Sequence, residues 1–148
     1  MLITKKIEID MGHRVPNHKS KCRNFHGHRY VFEVGVDDVI IGTKGMSSEG
    51  MVIDFSDLKE VMMETIDERL DHGFMMYRDD KHIKAFSRMA IDDQLKLIVV
   101  PFIPTAENIA KYIFFEMKEE LMRYKIKIKH VKVWETPTST ATWTSEDR

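Results

Sequence analysis

The stretch Lys21-Cys22-Arg23-Asn24-Phe25-His26-Gly27-His28, with His13 a short way upstream, holds the chain's single cysteine and three of its seven histidines. His26 and His28 are two apart, so on an extended segment their imidazoles share one side. In the earlier run Ile7-Glu8-Ile9-Asp10-Met11-Gly12-His13, the residues Ile7, Ile9, Met11 and His13 share one strand face. If the two segments pair antiparallel through the intervening loop, the end of the first lies beside the start of the second. The rings of His13, His26 and His28 then converge. Three neutral imidazoles without a fourth protein ligand form the donor set of a catalytic zinc ion, which keeps one coordination position open. A nearby thiol adds a proton acceptor. By spacing alone the chain reads as a zinc enzyme, while His18, His82 and His130 lack such company and read as structural or surface residues.

The elements that must position these groups follow from periodicity. Residues 1–12 and 28–38 read as strands, the second with Tyr30, Phe32, Val34 and Val36 on one face. Between them runs a polar loop broken by Pro16. After a Gly- and Ser-rich turn from Gly42 to Gly50, Asp54 or Ser56 can cap a helix with Leu58, Val61, Met62, Thr65, Ile66 and Leu70 at helical spacing. Asp71-His72 closes it, and Gly73 is placed to end it. Thr105 is a natural N-cap for a second helix, with Ile109, Tyr112, Ile113, Met117 and Leu121 along its inner stripe.

Two strands, about 125–136 and 138–145, end the chain. Their apolar phase shifts near His130, which predicts a bulge or a strand covered on both faces. Residues 78–93 read as a short helix or an irregular excursion, and Leu95–Val100 has strand composition. The expected order is strand, strand, helix, helix, strand, strand: an α+β domain with a four-stranded antiparallel sheet and both helices on one face. The open edges of such a sheet invite pairing with other copies of the chain.

Composition sets the outer limits. At 148 residues this is one domain, residues 1–148, large enough to bury a core without disulfides. A single Cys agrees with a reducing, cytosolic setting. With 23 basic and 24 acidic residues, no overall field argues for a nucleic-acid partner. No apolar run is long enough for a membrane span, and the first residues lack the apolar core of a secretory signal. The expectation is a soluble cytoplasmic protein. The eleven methionines are scattered and read as gap-fillers in core and interface.

Taken in order, Cys22-x-x-x-His26-Gly27-His28, Gly50-Met51-Val52-x-Asp54-Phe55, Leu70-Asp71-His72, Pro104-Thr105-Ala106-Glu107-Asn108 and Glu135-Thr136 resemble the 6-pyruvoyl-tetrahydropterin synthase family over nearly the whole chain. The three-residue gap between Cys22 and His26 is similar to that of the 6-carboxytetrahydropterin synthases of the queuosine pathway. The resemblance implies a tunnelling fold in which sheets join into a trimeric barrel and two trimers stack into a hexamer, with active sites at subunit interfaces. It implies 7,8-dihydroneopterin triphosphate as substrate, a lyase reaction that expels triphosphate, and, in the queuosine branch, release of acetaldehyde.

Within that resemblance each residue takes a role. His13, His26 and His28 hold Zn2+, a Lewis acid at the substrate's side-chain hydroxyls. Cys22 accepts a proton, with Lys21, Arg23 and the dication favouring its thiolate. Asp71 and His72 form the second acid–base group, with His72 meeting Cys22 of a neighbouring subunit. Adjacent side chains often point apart, so contact between those two is not required. Glu135, on the face of Val131 and Val133, accepts the paired N–H donors of a pterin edge, and Thr105 and Thr136 add contacts to the same ring. Arg14, Lys19, Lys21 and Arg23 are the cations beside the site for a triphosphate.

Two departures stand out: Gly73-Phe74-Met75-Met76-Tyr77 replaces the family's usual Leu-Asn pair, and residues 78–103 are longer than in compact members. The same donor set serves a carboxy product, a pyruvoyl product or an aldolase-like cleavage. A zinc hydrolase would want a Glu placed as in His-Glu-x-x-His, which the chain lacks. A non-catalytic pterin-binding module would tolerate loss of Cys22.

Overall fold

The computed structural model describes residues 1–147. Strands β1 (Leu2–His13) and β2 (His26–Asp37) pair antiparallel along their whole length, from Leu2 opposite Asp37 to His13 opposite His26. Alternation dictates the result: Ile7, Ile9 and Met11 are buried on one face of β1, and Tyr30, Phe32, Val34 and Val36 on the same face of β2. Strand β5 (Ile128–Thr136) adds to β2, and β6 (Ser139–Thr144) adds to β5. Gly35 pairs with His130 and Val36 with Ile128, so Lys129 is the extra residue of a bulge. This is the phase shift expected near His130.

Helix α1 (Phe55–Met62) is capped by Asp54, whose carboxylate accepts the Ser56 N–H at 2.6 Å. It passes through a wide π turn, Met63–Asp67, into the short α2 (Glu68–Leu70). The whole expected stripe, from Leu58 to Leu70, is buried. Helix α4 (Ala106–Leu121) turns Ile109, Ile113, Met117 and Leu121 into the same core, against β5 and β6.

The sheet departs from the four antiparallel strands expected. It has six strands, and an added pair, β3 (Phe74–Tyr77) and β4 (Leu97–Val100), makes it mixed, in the order β4-β3-β1-β2-β5-β6. Strand β3 runs parallel to the end of β1, and β4 runs parallel to β3. Both added strands are four residues long, too short for a periodic signal. In β3 the consecutive Met75 and Met76 are both fully buried, so no alternation exists to be read. Their connection carries a third helix, α3 (Ile83–Asp92), the short-helix alternative read for residues 78–93, which the two-helix arrangement did not count. Among the described residues no helix is long and apolar enough to cross a membrane.

Candidate metal centre and adjoining clefts

The β1–β2 register sets His13 opposite His26 and Met11 opposite His28. All three imidazoles therefore emerge on the core face at the open end of the hairpin. Ring centroids are 4.6 Å apart for His13 and His26, 5.2 Å for His13 and His28, and 5.0 Å for His26 and His28. One nitrogen from each lies within 4.8 Å of the others. Gly27 permits this approach, since a Cβ there would stand 2.8 Å from the Met11 carbonyl oxygen.

The tautomers are set from behind. His13 Nδ1 lies 2.7 Å from the Pro104 carbonyl oxygen, and His26 Nδ1 lies 2.8 Å from that of Asn24. A carbonyl only accepts, so each Nδ1 carries the proton and each Nε2 keeps its lone pair for a metal. His13 Nε2 is buried with no hydrogen-bond partner, an orphan that a cation would satisfy. Burial lowers the basicity of His13 and, less completely enclosed, of His28, which favours the neutral, ligating form. The donor set fits a divalent metal of the zinc type.

Beside His13 opens a cleft of about 250 Å³ lined by Cys22, Thr105, Glu135 and Thr140, among others. Cys22 sits half-buried on a single 3-10 turn, Lys21–Arg23, and its carbonyl accepts the Val15 N–H at 2.9 Å. Glu135 is half-buried at the end of β5, with Oε1 3.6 Å from His13 Nε2. Thr105 caps α4 as expected, its hydroxyl accepting the Asn108 N–H at 3.4 Å. His18, read from sequence as a bystander, also lines this cleft. So does Ser139, at the start of β6. Neither carried a spacing signal, because β6 and the loop fold over the site from distant parts of the chain.

Two groups lie elsewhere. Thr136 lines a neighbouring cleft of about 530 Å³ with His28, Trp134 and Glu135. His72 lines a third, with Asp10, Gly27, His28 and Arg29, apart from the cleft that Cys22 lines. The residue with left-handed backbone after α2 is His72, at φ 56°, in place of the expected Gly73. Its N–H donates to the Asp10 carbonyl at 2.7 Å, which locks the corner. Asp71 Oδ1 accepts the Asp10 N–H at 2.9 Å, while Oδ2 lies 2.6 Å from His72 Nδ1. The adjacent carboxylate and imidazole do touch. Burial alone would push the Asp71 carboxyl up, but the Asp10 N–H and His72 together bring it below its ordinary value.

Of the cations expected for a triphosphate, Arg14 is buried against Asp80 and unavailable, whereas Lys19, Lys21 and Arg23 are exposed. Under the histidines, Tyr30 is fully buried, and burial followed by the nearby Glu135 carboxylate pushes its phenol well above the ordinary range. It is a polar group that the strand pattern presented only as core.

A three-histidine centre at the mouth of a β-hairpin, walled by a thiol and a carboxylate on an α+β sheet, defines a candidate metalloprotein of one chain-wide domain type. Residues 2–146 match the family model described as 6-pyruvoyl tetrahydropterin synthase. The 6-carboxy-5,6,7,8-tetrahydropterin synthase of Haemophilus influenzae is 34% identical over 137 residues, covering 93% of this chain and 94% of its own. An uncharacterized Wolinella succinogenes protein of known structure superposes with a TM-score of 0.80 at 25% identity, covering 99% of this chain and 98% of that one. The 6-pyruvoyl tetrahydropterin synthase of Caenorhabditis elegans shares the fold at a TM-score of 0.68 and 23% identity, covering 99% and 96%. The chain belongs to the 6-pyruvoyl tetrahydropterin synthase family.

Proposed function

We propose that this chain is a zinc-dependent lyase that converts 7,8-dihydroneopterin triphosphate to 6-carboxy-5,6,7,8-tetrahydropterin, releasing triphosphate and acetaldehyde. The observation that carries the reading is the convergence of His13, His26 and His28 in a cleft wall shared with Cys22 and Glu135. A family relative bearing the carboxytetrahydropterin name at 34% identity, and the Cys22-x-x-x-His26 spacing, support the carboxy product over the pyruvoyl one.

Bound at His13, His26 and His28, zinc supplies Lewis acidity that makes protons on the substrate side chain easier to remove. The chain's own residues do the rest. Cys22 accepts a proton from the side chain, and His72 returns or relays one, held in a single tautomer by Asp71. Glu135 anchors the pterin by accepting two N–H donors. With His13 Nε2 committed to a metal, the Glu135 carboxylate is left with acceptor capacity for that edge. Thr105 lines the cleft of His13 and Glu135 and adds a contact to the ring there, and Thr136 adds one from the neighbouring cleft that Glu135 also lines. Lys19, Lys21 and Arg23 are the remaining cations for the triphosphate.

His72 and Cys22 line separate clefts of one chain, which supports a homo-oligomer, trimer or hexamer, whose neighbouring subunits complete each site. The setting is cytoplasmic. The direct test is mass spectrometry of products after incubating zinc-loaded protein with 7,8-dihydroneopterin triphosphate. 6-Carboxytetrahydropterin with acetaldehyde is the expected pair. 6-Pyruvoyl-tetrahydropterin would move the chain to the other branch of the family, and unchanged substrate would overturn the reading.

A further inference from the structure

The excursion between β3 and β4 takes hold of both ends of the loop that carries Cys22. Arg14 directly follows ligand His13, and Phe25 directly precedes ligand His26. Arg14 is buried against the equally buried Asp80, with Nη1 3.5 Å from Oδ1 and Nε 3.4 Å from Oδ2. Asp80 is itself held in the turn before α3, where Oδ1 accepts the His82 N–H at 2.8 Å. At the other end, the Phe25 ring stacks on Phe86 of α3 at 4.8 Å and 27°. The Arg14 guanidinium lies 5.0 Å over the Phe25 ring and ties the two ends together. Arg14 also adjoins Val15, whose N–H donates to the Cys22 carbonyl.

We infer that residues 78–92 form a clamp in which Asp80 and Phe86 are positioning residues for the metal-and-thiol loop. Asp80 acts through Arg14 and Val15 on Cys22, and Phe86 acts through Phe25 on His26. The physical need is plain. A loop from residue 14 to residue 25 has only its own short turns to order it, and ordering must come from outside. A buried guanidinium keeps one geometry only while its carboxylate stays, so the pair specifies position more than it adds stability. Phe25 is 48% exposed, and the nearest ring covering it is Phe86, with Phe74 further off at 5.7 Å.

The two arms of the clamp predict different losses. This inference rests on the functional reading for the importance of Cys22 and the zinc, but its readouts use neither pterin nor turnover. In full-length Asp80→Asn, amide exchange at Val15 and alkylation of Cys22 by iodoacetamide should each rise about tenfold or more, since the loop loses its anchor. Cys22 is the only thiol, so alkylation reports it directly. In Phe86→Ala, zinc affinity measured by chelator competition should fall about tenfold, the scale of losing an orienting partner of a ligand, and Phe86→Tyr should restore it.

Wild-type exchange at Val15 in Asp80→Asn, together with wild-type zinc affinity in Phe86→Ala, overturns the clamp. A uniform rise in exchange across the whole sheet in both variants also overturns it, because the effect would then be global unfolding. Failure of the pterin reaction leaves these readings intact, and failure of the clamp leaves the product assay unaffected.

Discussion

The three-histidine cluster and the Asp71–His72 corner are both made of polar residues close to strand ends, yet they are built in opposite ways. The three histidines stand near the open end of one hairpin of two twelve-residue strands, on the core face, with two rings backed by carbonyl oxygens. All three rings come from one chain and one local pairing. Asp71 is equally well held, by the Asp10 N–H, but its partner His72 is 79% exposed on a left-handed residue. The first site is complete within a chain. The second is a fixed carboxylate holding an exposed imidazole. On the proposed function, the ladder binds a metal by itself, whereas the corner serves a neighbouring subunit.

The largest effect should come from the ladder. His26→Ala removes a ligand and leaves two, so zinc content measured by elemental analysis should drop from one per chain to near zero. Retention of stoichiometric zinc would mean that the ligand set is wrong. Next come the two groups proposed for acid–base work. Cys22→Ala and His72→Asn should each lower turnover by about 10²–10⁴-fold while zinc stays bound, and Asn tolerates the left-handed backbone at 72. Mixing the two inactive proteins after reversible dissociation sharpens the comparison. If neighbouring subunits share a site, mixed oligomers regain activity; if the site is complete in one chain, they stay dead.

The ladder was legible in sequence because alternation and pairing are local. The period-2 pattern of Ile7, Ile9, Met11 and His13 against His26, His28 and Tyr30 fixes both face and register once the hairpin closes. The bulge at Lys129 was legible for the same reason, as a parity change between Ile128 and Val131. Of the added strands, β4 was legible by composition alone, in Leu95–Val100, and β3 was not legible at all. Strand β3 is defined by pairing with β1 across some sixty residues of chain, at only two positions, Gly12 with Phe74 and His13 with Met75. No local pattern encodes such a contact. The same parallel pairing explains why Arg14, a surface cation by type, is buried: β3 leads straight into Asp80, which is waiting for it. His72 defeated the glycine rule because its N–H bond to Asp10, a tertiary contact, holds the strained backbone in place.

Acid should separate the two regions again, by a smaller amount. Burial holds His13 and His28 below the ordinary histidine value of 6.5 in the folded chain. Below 6.5 the unfolded chain therefore binds more protons than the folded one, so metal-free stability is full above that pH and declines as pH falls through it. Thermal melting of the metal-free protein should show a lower Tm at pH 5.5 than at pH 7.5. His13→Gln, which keeps a neutral polar group there, should flatten part of that slope. A slope unchanged by His13→Gln would place the acid sensitivity outside the histidine ladder.

The smallest effect tests whether Thr105 belongs to the cleft or only to its helix. As N-cap of α4 its hydroxyl accepts a long 3.4 Å bond from Asn108, so Thr105→Ala should cost about 0.5–1 kcal/mol, the lower part of the range for cap removal. Thr105→Ser keeps the cap and loses only a methyl group. If the hydroxyl also contacts the pterin, Thr105→Ala should raise KM while Thr105→Ser leaves it near wild type, and the stability change should follow the same order. A KM unchanged in both variants, with the stability loss present in Thr105→Ala, would return this residue to the scaffold. Glu135 would then be the sole anchor among the residues that face His13 across the cleft.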